Sequence, residues 1–166
     1  DFMTALCDDS SKRLYWVVVL VAIIPRFLFI FFAPERAGDS SLYETTAENI
    51  LSGCGVSLSP VGSGECVPHF GGNQGPGYPA FIAFFWWISG HSDLIVRLAQ
   101  GIFYVVALMY LVDSIRLFTS SLKLALLTGL VLALSPLQVA WPRYVLTETL
   151  ALAGTLWLFA ELLRSL

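Results

Sequence analysis

Five ionisable side chains, Arg26, Asp39, Arg97, Arg143 and Glu148, stand inside or beside long apolar runs of this chain. A charge in a bilayer costs at least about 3 kcal/mol, so it is rare unless it is paired, snorkels to the headgroups or serves a function. Arginine binds phosphate through two parallel hydrogen bonds. A nearby carboxylate can take the proton from an attacking hydroxyl or amine. Together these residue types suit an anionic ligand at a membrane face. A sugar linked to a lipid phosphate has that form, with its chain in the bilayer and its phosphate at the surface. Each residue also has a plainer reading. Arg143 and Arg97 can snorkel, Asp39 can cap a helix or complement its dipole, and Glu148 can pair with Arg143 or Arg97. Ion pairing explains less well why three arginines and two acids gather at one depth.

The elements that must carry these residues follow from composition. Of 166 residues, 57% are hydrophobic and 13% charged, roughly half the usual charged share of about 25%. A soluble domain of this size could not present enough polar surface to water. The balance also excludes a disordered chain, and a net charge of −3 excludes a nucleic-acid binder. Three cysteines are too few for a disulfide scaffold. The expected fold class is all-α, a polytopic transmembrane helix bundle of about four spans with a long external loop carrying short amphipathic surface helices.

A span needs about 20 mostly apolar residues. Four segments approach this: 14–32, 94–112, 124–142 and 144–163. The first is too long for a cleaved signal peptide and has no small-residue cleavage site after it. Tyr78–Ile88 is apolar but too short to cross, and its Trp86 and Trp87 suit an interfacial helix. Lys12, Arg13, Arg116, Lys123 and Arg164 all fall on one side if four spans alternate. That side reads as cytoplasmic. The protein is thus expected to be a multi-pass integral membrane protein with a cytoplasmic N-terminus. The stretch 33–93 then lies outside, with Glu35, Asp39, Glu44, Glu48, Glu65 and Asp93 against Arg36 alone.

Within the external stretch, Leu42, Tyr43, Thr46, Ala47, Ile50 and Leu51 recur at helical spacing. Ser41 and Glu44 match a capping box, and Gly53 stands where a C-terminal cap belongs. Asp39 lies just before this helix. Gly53–Gly77 is rich in Gly, Ser and Pro and reads as irregular backbone. It lacks the lysine of a nucleotide phosphate loop, but long loops of this kind are often functional. Cys54 and Cys66 both fall in the external stretch. They either pair in an oxidising compartment or stand as two free loop thiols. His69 and His91 stand alone, and no metal-spaced set of ligands is present.

The order of these segments resembles the N-terminal part of the GT-C superfamily of membrane glycosyltransferases, above all the protein O-mannosyltransferases and lipid A aminoarabinose transferases. The resemblance runs from about Leu14 to the end. It rests on GDSSLYETTAENILSGCG after the first span, GPGYPAFIAFFWWISG, LIVRLAQGIFYVVALMYLV and LALSPLQVAWPRYVLTETLALAG. It implies that Asp39 matches the essential aspartate of the first external loop, although the second acid often found there is replaced by Ser40. It implies that Arg97 contacts the donor phosphate, and that Arg143 and Glu148 match the Arg-x-x-x-x-Glu/Asp pattern at the third-to-fourth junction. Family members use a polyprenyl-phosphate sugar and transfer it outside the cytoplasm with inversion.

On that resemblance, Asp39 is expected to be the base. Arg97, with Arg143 or Arg26, is expected to hold the leaving phosphate. Glu148 is expected to orient an arginine or bind the acceptor, and Tyr43 and Tyr78 to pack on sugar or lipid. The partners implied are a polyprenyl-phosphate sugar donor, a protein, lipid or glycan acceptor and the bilayer, with no nucleic acid. No cofactor is required, and one external acid pair is too little to identify a divalent metal site. The chain, taken as 1–166 of one transmembrane domain, is expected to be the front portion of a longer enzyme and inactive alone. Two other classes compete: a non-catalytic subunit whose charges are assembly contacts, and a transporter fragment with a polar path. Transporters place such charges at mid-bilayer, and here they are expected at one face.

Overall fold

The computed structural model describes residues 9–32, 38–60, 62–64, 66–68 and 75–166. Glu35, Arg36, Glu65 and His69 lie outside the described residues, as does the side chain of Lys12. The regular elements described are helices: α1 (Asp9–Phe32), α2 (Ser40–Leu51), α3 (Gly77–Ser89), α4 (Asp93–Thr119), α5 (Leu122–Ala133), α6 (Pro136–Ala140) and α7 (Glu148–Ser165), with a 3-10 turn at Trp141–Arg143 after α6. One isolated bridge joins Ser57 and Pro68.

Among the described residues two helices are long and apolar enough to cross a membrane, α1 over Arg13–Phe32 and α4 over Asp93–Thr119. α4 is the centre of the packing. It lies against α7, α5, α1 and α3, while α2 rests on α3. The polarity runs opposite to that of a soluble domain. Arg26, Gln100, Arg97, Asp113, Ser114 and Thr149 are buried, while Trp16, Leu20, Ile102, Val106, Leu127 and Leu158 face outward. An apolar exterior with polar groups turned inward is what a hydrocarbon solvent selects.

The third apolar run, expected as one span over 124–142, is not one helix. α5 ends at Ala133, and the following α6 and 3-10 turn depart from its axis by 59°. Pro136 is the cause. It biases Ser135 out of the helical region, at φ −56° and ψ 119°, and cannot donate to the carbonyl of Leu132. Side chains from neighbouring helices serve the freed carbonyls: the Tyr104 hydroxyl donates to Leu132 O at 3.2 Å and Arg26 Nη1 to Ala133 O at 3.0 Å. The fourth run begins later than expected, because residues 144–147 are not helical. α7 is 18 residues long and carries Glu148, Glu161 and Arg164.

α2 begins at Ser40 with Asp39 as its cap residue. The expected capping box is not formed: Ser41 Oγ donates to Gly38 O at 3.2 Å, and no side chain caps the helix. The C-terminal expectation holds. Gly53 takes φ +87°, Gly53 N donates to Ile50 O and Cys54 N to Asn49 O at 2.8 Å. This double closure needs a residue in the left-handed region. Cys54 then pairs with Cys66, with Cα atoms 5.1 Å apart. Buried Asn49 donates to the carbonyls of Ser57 and Ser59 at 2.8 and 2.9 Å, which fastens the disulfide loop onto α2.

Candidate functional site

The site is built where α2, α3, the start of α4 and the 142–148 segment converge. Apolar packing brings them together: Tyr43, Ala47, Tyr78, Ile82, Trp86, Val96 and Val145 form one buried cluster. α3 supplies Tyr78, whose ring meets Tyr43 edge-on at 5.1 Å. α4 supplies Arg97 and, one turn later, Gln100. Trp86 Nε1 donates to Asp93 Oδ1 at 3.2 Å, an acid well placed at the positive end of α4.

Gln100 is fully enclosed. Its Oε1 accepts from the Tyr78 hydroxyl at 3.0 Å. Its Nε2 donates to Pro142 O at 3.0 Å and Tyr144 O at 2.6 Å. Ser40 Oγ donates to Val145 O at 3.1 Å. The amide and the hydroxyl thus hold the backbone where the chain is between helices.

Arg97 is 8% exposed, and its Nε is buried without a hydrogen-bond partner. No ion pair joins it to a described residue. It lies in one electrostatic neighbourhood with Tyr78, Glu148 and Glu44. Burial holds the Tyr78 hydroxyl well above the ordinary tyrosine value; Glu148, Tyr43 and Glu44 add to this, and the Arg97 cation opposes it. Tyr78 is therefore a neutral hydrogen-bond donor throughout the physiological range.

The other expected residues are placed as follows. Asp39 is exposed at the start of α2, and its carboxylate makes no ion pair or hydrogen bond with a described residue. Its main-chain carbonyl accepts from Leu42 N at 3.1 Å. Glu148 opens α7, half-buried, with Thr147 Oγ1 donating to Oε2 at 3.4 Å. It borders a groove of about 420 Å³ together with Gln138, Trp141 and Leu152. Arg143 stands on the 3-10 turn, donates to the Tyr144 hydroxyl, and lies over the rings of Tyr144 at 4.6 Å and Phe29 at 5.9 Å.

Arg26 departs from the expected gathering at one depth. It is fully buried, donates through Nη1 to Ala22 O at 2.6 Å and to Ala133 O, and lies 4.3 Å from the Tyr104 ring. Tyr104 is seven residues beyond Arg97 on α4, about 10 Å along a helix. Arg26 thus belongs with the break between α5 and α6, where Tyr104 also binds Gln138. Tyr43 and Tyr78 are buried against each other rather than offered as open rings.

Sequence reasoning passed over Gln100 and Ser40. The signal for Gln100 was present, since an amide within an apolar run needs partners as a charge does. Ser40 carried no signal, since its partner is far away in sequence. No group of three or more His, Cys, Asp or Glu able to hold a metal occurs among the described residues.

The arrangement can receive an anion at Arg97 and present a solvated carboxylate at Asp39. Comparison of the chain with protein-family models, with curated proteins and with solved structures returned no match.

Proposed function

We propose that this chain is the N-terminal part of a membrane glycosyltransferase that takes its sugar from a polyprenyl-phosphate donor at the external face. The observation that carries the reading is Arg97, a buried guanidinium with no ion pair to a described residue and an unpartnered Nε. An unpaired buried cation is costly, and a phosphate would relieve that cost with charge-assisted bonds. The order of sequence motifs supplies the reaction class. In this reading α1, α4, the bent α5–α6 pair and α7 make four crossings, and α2 and α3 lie on the external surface. The Cys54–Cys66 disulfide suits an oxidising compartment outside the cytoplasm.

The chemistry then divides between two groups. The acceptor hydroxyl or amine attacks C1 of the sugar from the face opposite the phosphate and gives its proton to the Asp39 carboxylate. The bond from C1 to the phosphate oxygen breaks, its electron pair leaves with the lipid phosphate, and the anomeric centre inverts. Arg97 binds the charge that grows on the departing phosphate, the kind of interaction that lowers a barrier most when it is pre-formed. Arg143, on the adjoining turn, is a second cation for the same phosphate, and Glu148 orients it or binds the acceptor. Arg26, enclosed two turns deeper, instead maintains the α5–α6 break.

The test is Asp39→Asn in the complete protein in native membranes, reading release of polyprenyl phosphate from hexose- and pentose-bearing donors. Loss of a general base lowers the rate about 100- to 10,000-fold, with donor binding retained. Transfer at near the unaltered rate would sink the base assignment.

A further inference from the structure

We infer that the backbone segment 142–146 is a strut that sets the spacing between Asp39 and Arg97, and that Gln100 and Ser40 are the positioning residues that hold it. The kinetic consequence rests on the transferase reading; the geometry does not.

α2, which begins next to Asp39, packs on α3, whereas Arg97 belongs to α4. The distance between the two groups is therefore set through intermediaries. One route is unusually short. Asp39 is bonded to Ser40, whose hydroxyl donates to Val145 O at 3.1 Å. Val145 is bonded to Tyr144, whose carbonyl accepts from Gln100 at 2.6 Å. Gln100 is one turn from Arg97 on the same helix, and residues three apart share a face. Two hydrogen bonds and a few covalent links thus span from the proposed base to the proposed phosphate ligand.

The strut depends on these two side chains because its backbone has left helical geometry. Tyr144 is extended, at φ −97° and ψ 152°, and its carbonyl accepts from the Gln100 side chain. Gln100 uses both ends of its amide, accepting from Tyr78 while donating to Pro142 and Tyr144. This ties α3 into the same junction. Val145 inserts its fully buried side chain among Tyr43, Tyr78 and Val96, so the strut is plugged as well as tied. A transfer reaction needs the base and the leaving-group ligand on opposite sides of one carbon, and a misplacement of about 1 Å can cost about 100-fold.

The experiment uses the complete protein in membranes, with Ser40→Ala and Gln100→Leu as variants. Nitroxide labels on cysteines introduced at the exposed positions Ser41 and Leu94, in a Cys7→Ser background, report the distance between α2 and α4. Ser40→Ala is expected to broaden that distribution and lower kcat about 10-fold with donor Kd within about twofold. Gln100→Leu is expected to broaden it further and to weaken donor binding as well, because Gln100 adjoins Arg97. Ser114→Ala, which removes an equally buried serine near the other end of α4, controls for general destabilisation and is expected to leave kcat unchanged. An unchanged distance distribution in both strut variants overturns the strut, whether or not the chain is a transferase. Broadened distances with unaltered kcat and Kd overturn the positioning role. If the unaltered protein neither binds nor turns over any polyprenyl-phosphate sugar, the transferase reading fails, and the distances still decide the strut.

Discussion

α4 carries a polar site towards each of its ends, and each includes an arginine in contact with apolar surroundings. Towards the C-terminal end, Arg164 of α7 bonds Asp113 at 2.5 Å and Ser114 at 2.8 Å and lies 4.2 Å from the Tyr110 ring. Tyr110 in turn donates to Glu161 at 2.8 Å and stacks on Trp157 at 4.6 Å. The cation there is answered by an acid, a hydroxyl and a ring, and it clamps α7 to α4. Near the N-terminal end, Arg97 is more deeply buried and has no ion pair with a described residue. Glu44, Glu148 and Arg97 all act through space on the Tyr78 hydroxyl, the two acids raising its pKa and the cation lowering it. An arginine held by an acid, as Arg164 is, is part of the scaffold, whereas one with no hydrogen bond or ion pair among the described residues keeps its donors for something else.

This contrast can be broken most directly at Arg97 itself. Arg97→Leu is expected to weaken donor binding about 100-fold, the scale of losing a buried charge-assisted contact. Thermal stability should hold or rise, because an uncompensated charge has been removed. Both are read from donor titration and melting of the purified protein. A melting temperature that falls as steeply as for a scaffold variant would make Arg97 a scaffold residue too, and the contrast would collapse.

Asp113→Ala supplies that scaffold comparison. It leaves Arg164 without its acid and is expected to cost about 1–3 kcal/mol, moderated because the Arg164 side chain is 33% exposed and water shares the charge. Chemical denaturation measures the loss, and transfer per folded molecule is expected to be unchanged.

The smallest effect expected is at Tyr78. Tyr78→Phe removes one hydrogen bond to Gln100 and should cost about 1 kcal/mol. It also sharpens the electrostatic side of the comparison through pH. The folded protein holds the Tyr78 proton more tightly than the unfolded chain does. The stability contribution is therefore complete below about pH 10, the ordinary tyrosine value, and is lost as pH rises above it. The alkaline fall in stability should be shallower in Tyr78→Phe than in the unaltered protein. An identical fall would mean that Tyr78 is not the group being titrated.

Much of the fold was legible before any coordinates. The apolar runs around α1 and α4, the short aromatic helix α3 and the amphipathic α2 all follow from hydrophobic length and period. Gly53 as the terminator of α2 was legible because a left-handed cap favours glycine. The break between α5 and α6 was missed although Pro136 was visible. Composition across the run stayed apolar, and a proline inside a run can be absorbed, as Pro25 is within α1. What distinguishes the two is whether neighbouring side chains stand ready to take the freed carbonyls, as Tyr104 and Arg26 do at Leu132 and Ala133. No local pattern carries that information.

The site was legible to a similar degree. Asp39, Arg97, Arg143 and Glu148 stood out by type, because a charge beside an apolar run is expensive anywhere. Their sorting was not legible. Arg26 and Arg97 look alike in sequence, each a lone cation in an apolar run. Yet Arg26 donates through Nη1 to two carbonyls while its Nε and Nη2 have no partner, and Arg97 makes no hydrogen bond or ion pair with a described residue.

The sequence by itself determined a helical chain with spans long enough for a membrane, and which charged residues needed an explanation. Both follow from transfer free energies, which depend on residue type and run length alone. Only the tertiary structure decided which charges are already answered, that Gln100 and Ser40 hold the 142–146 segment, and that the Tyr43 and Tyr78 rings pack on each other. Those outcomes depend on which partner lies within about 3 Å, and contacts such as Ser40 with Val145 or Arg26 with Ala133 join residues more than 100 positions apart.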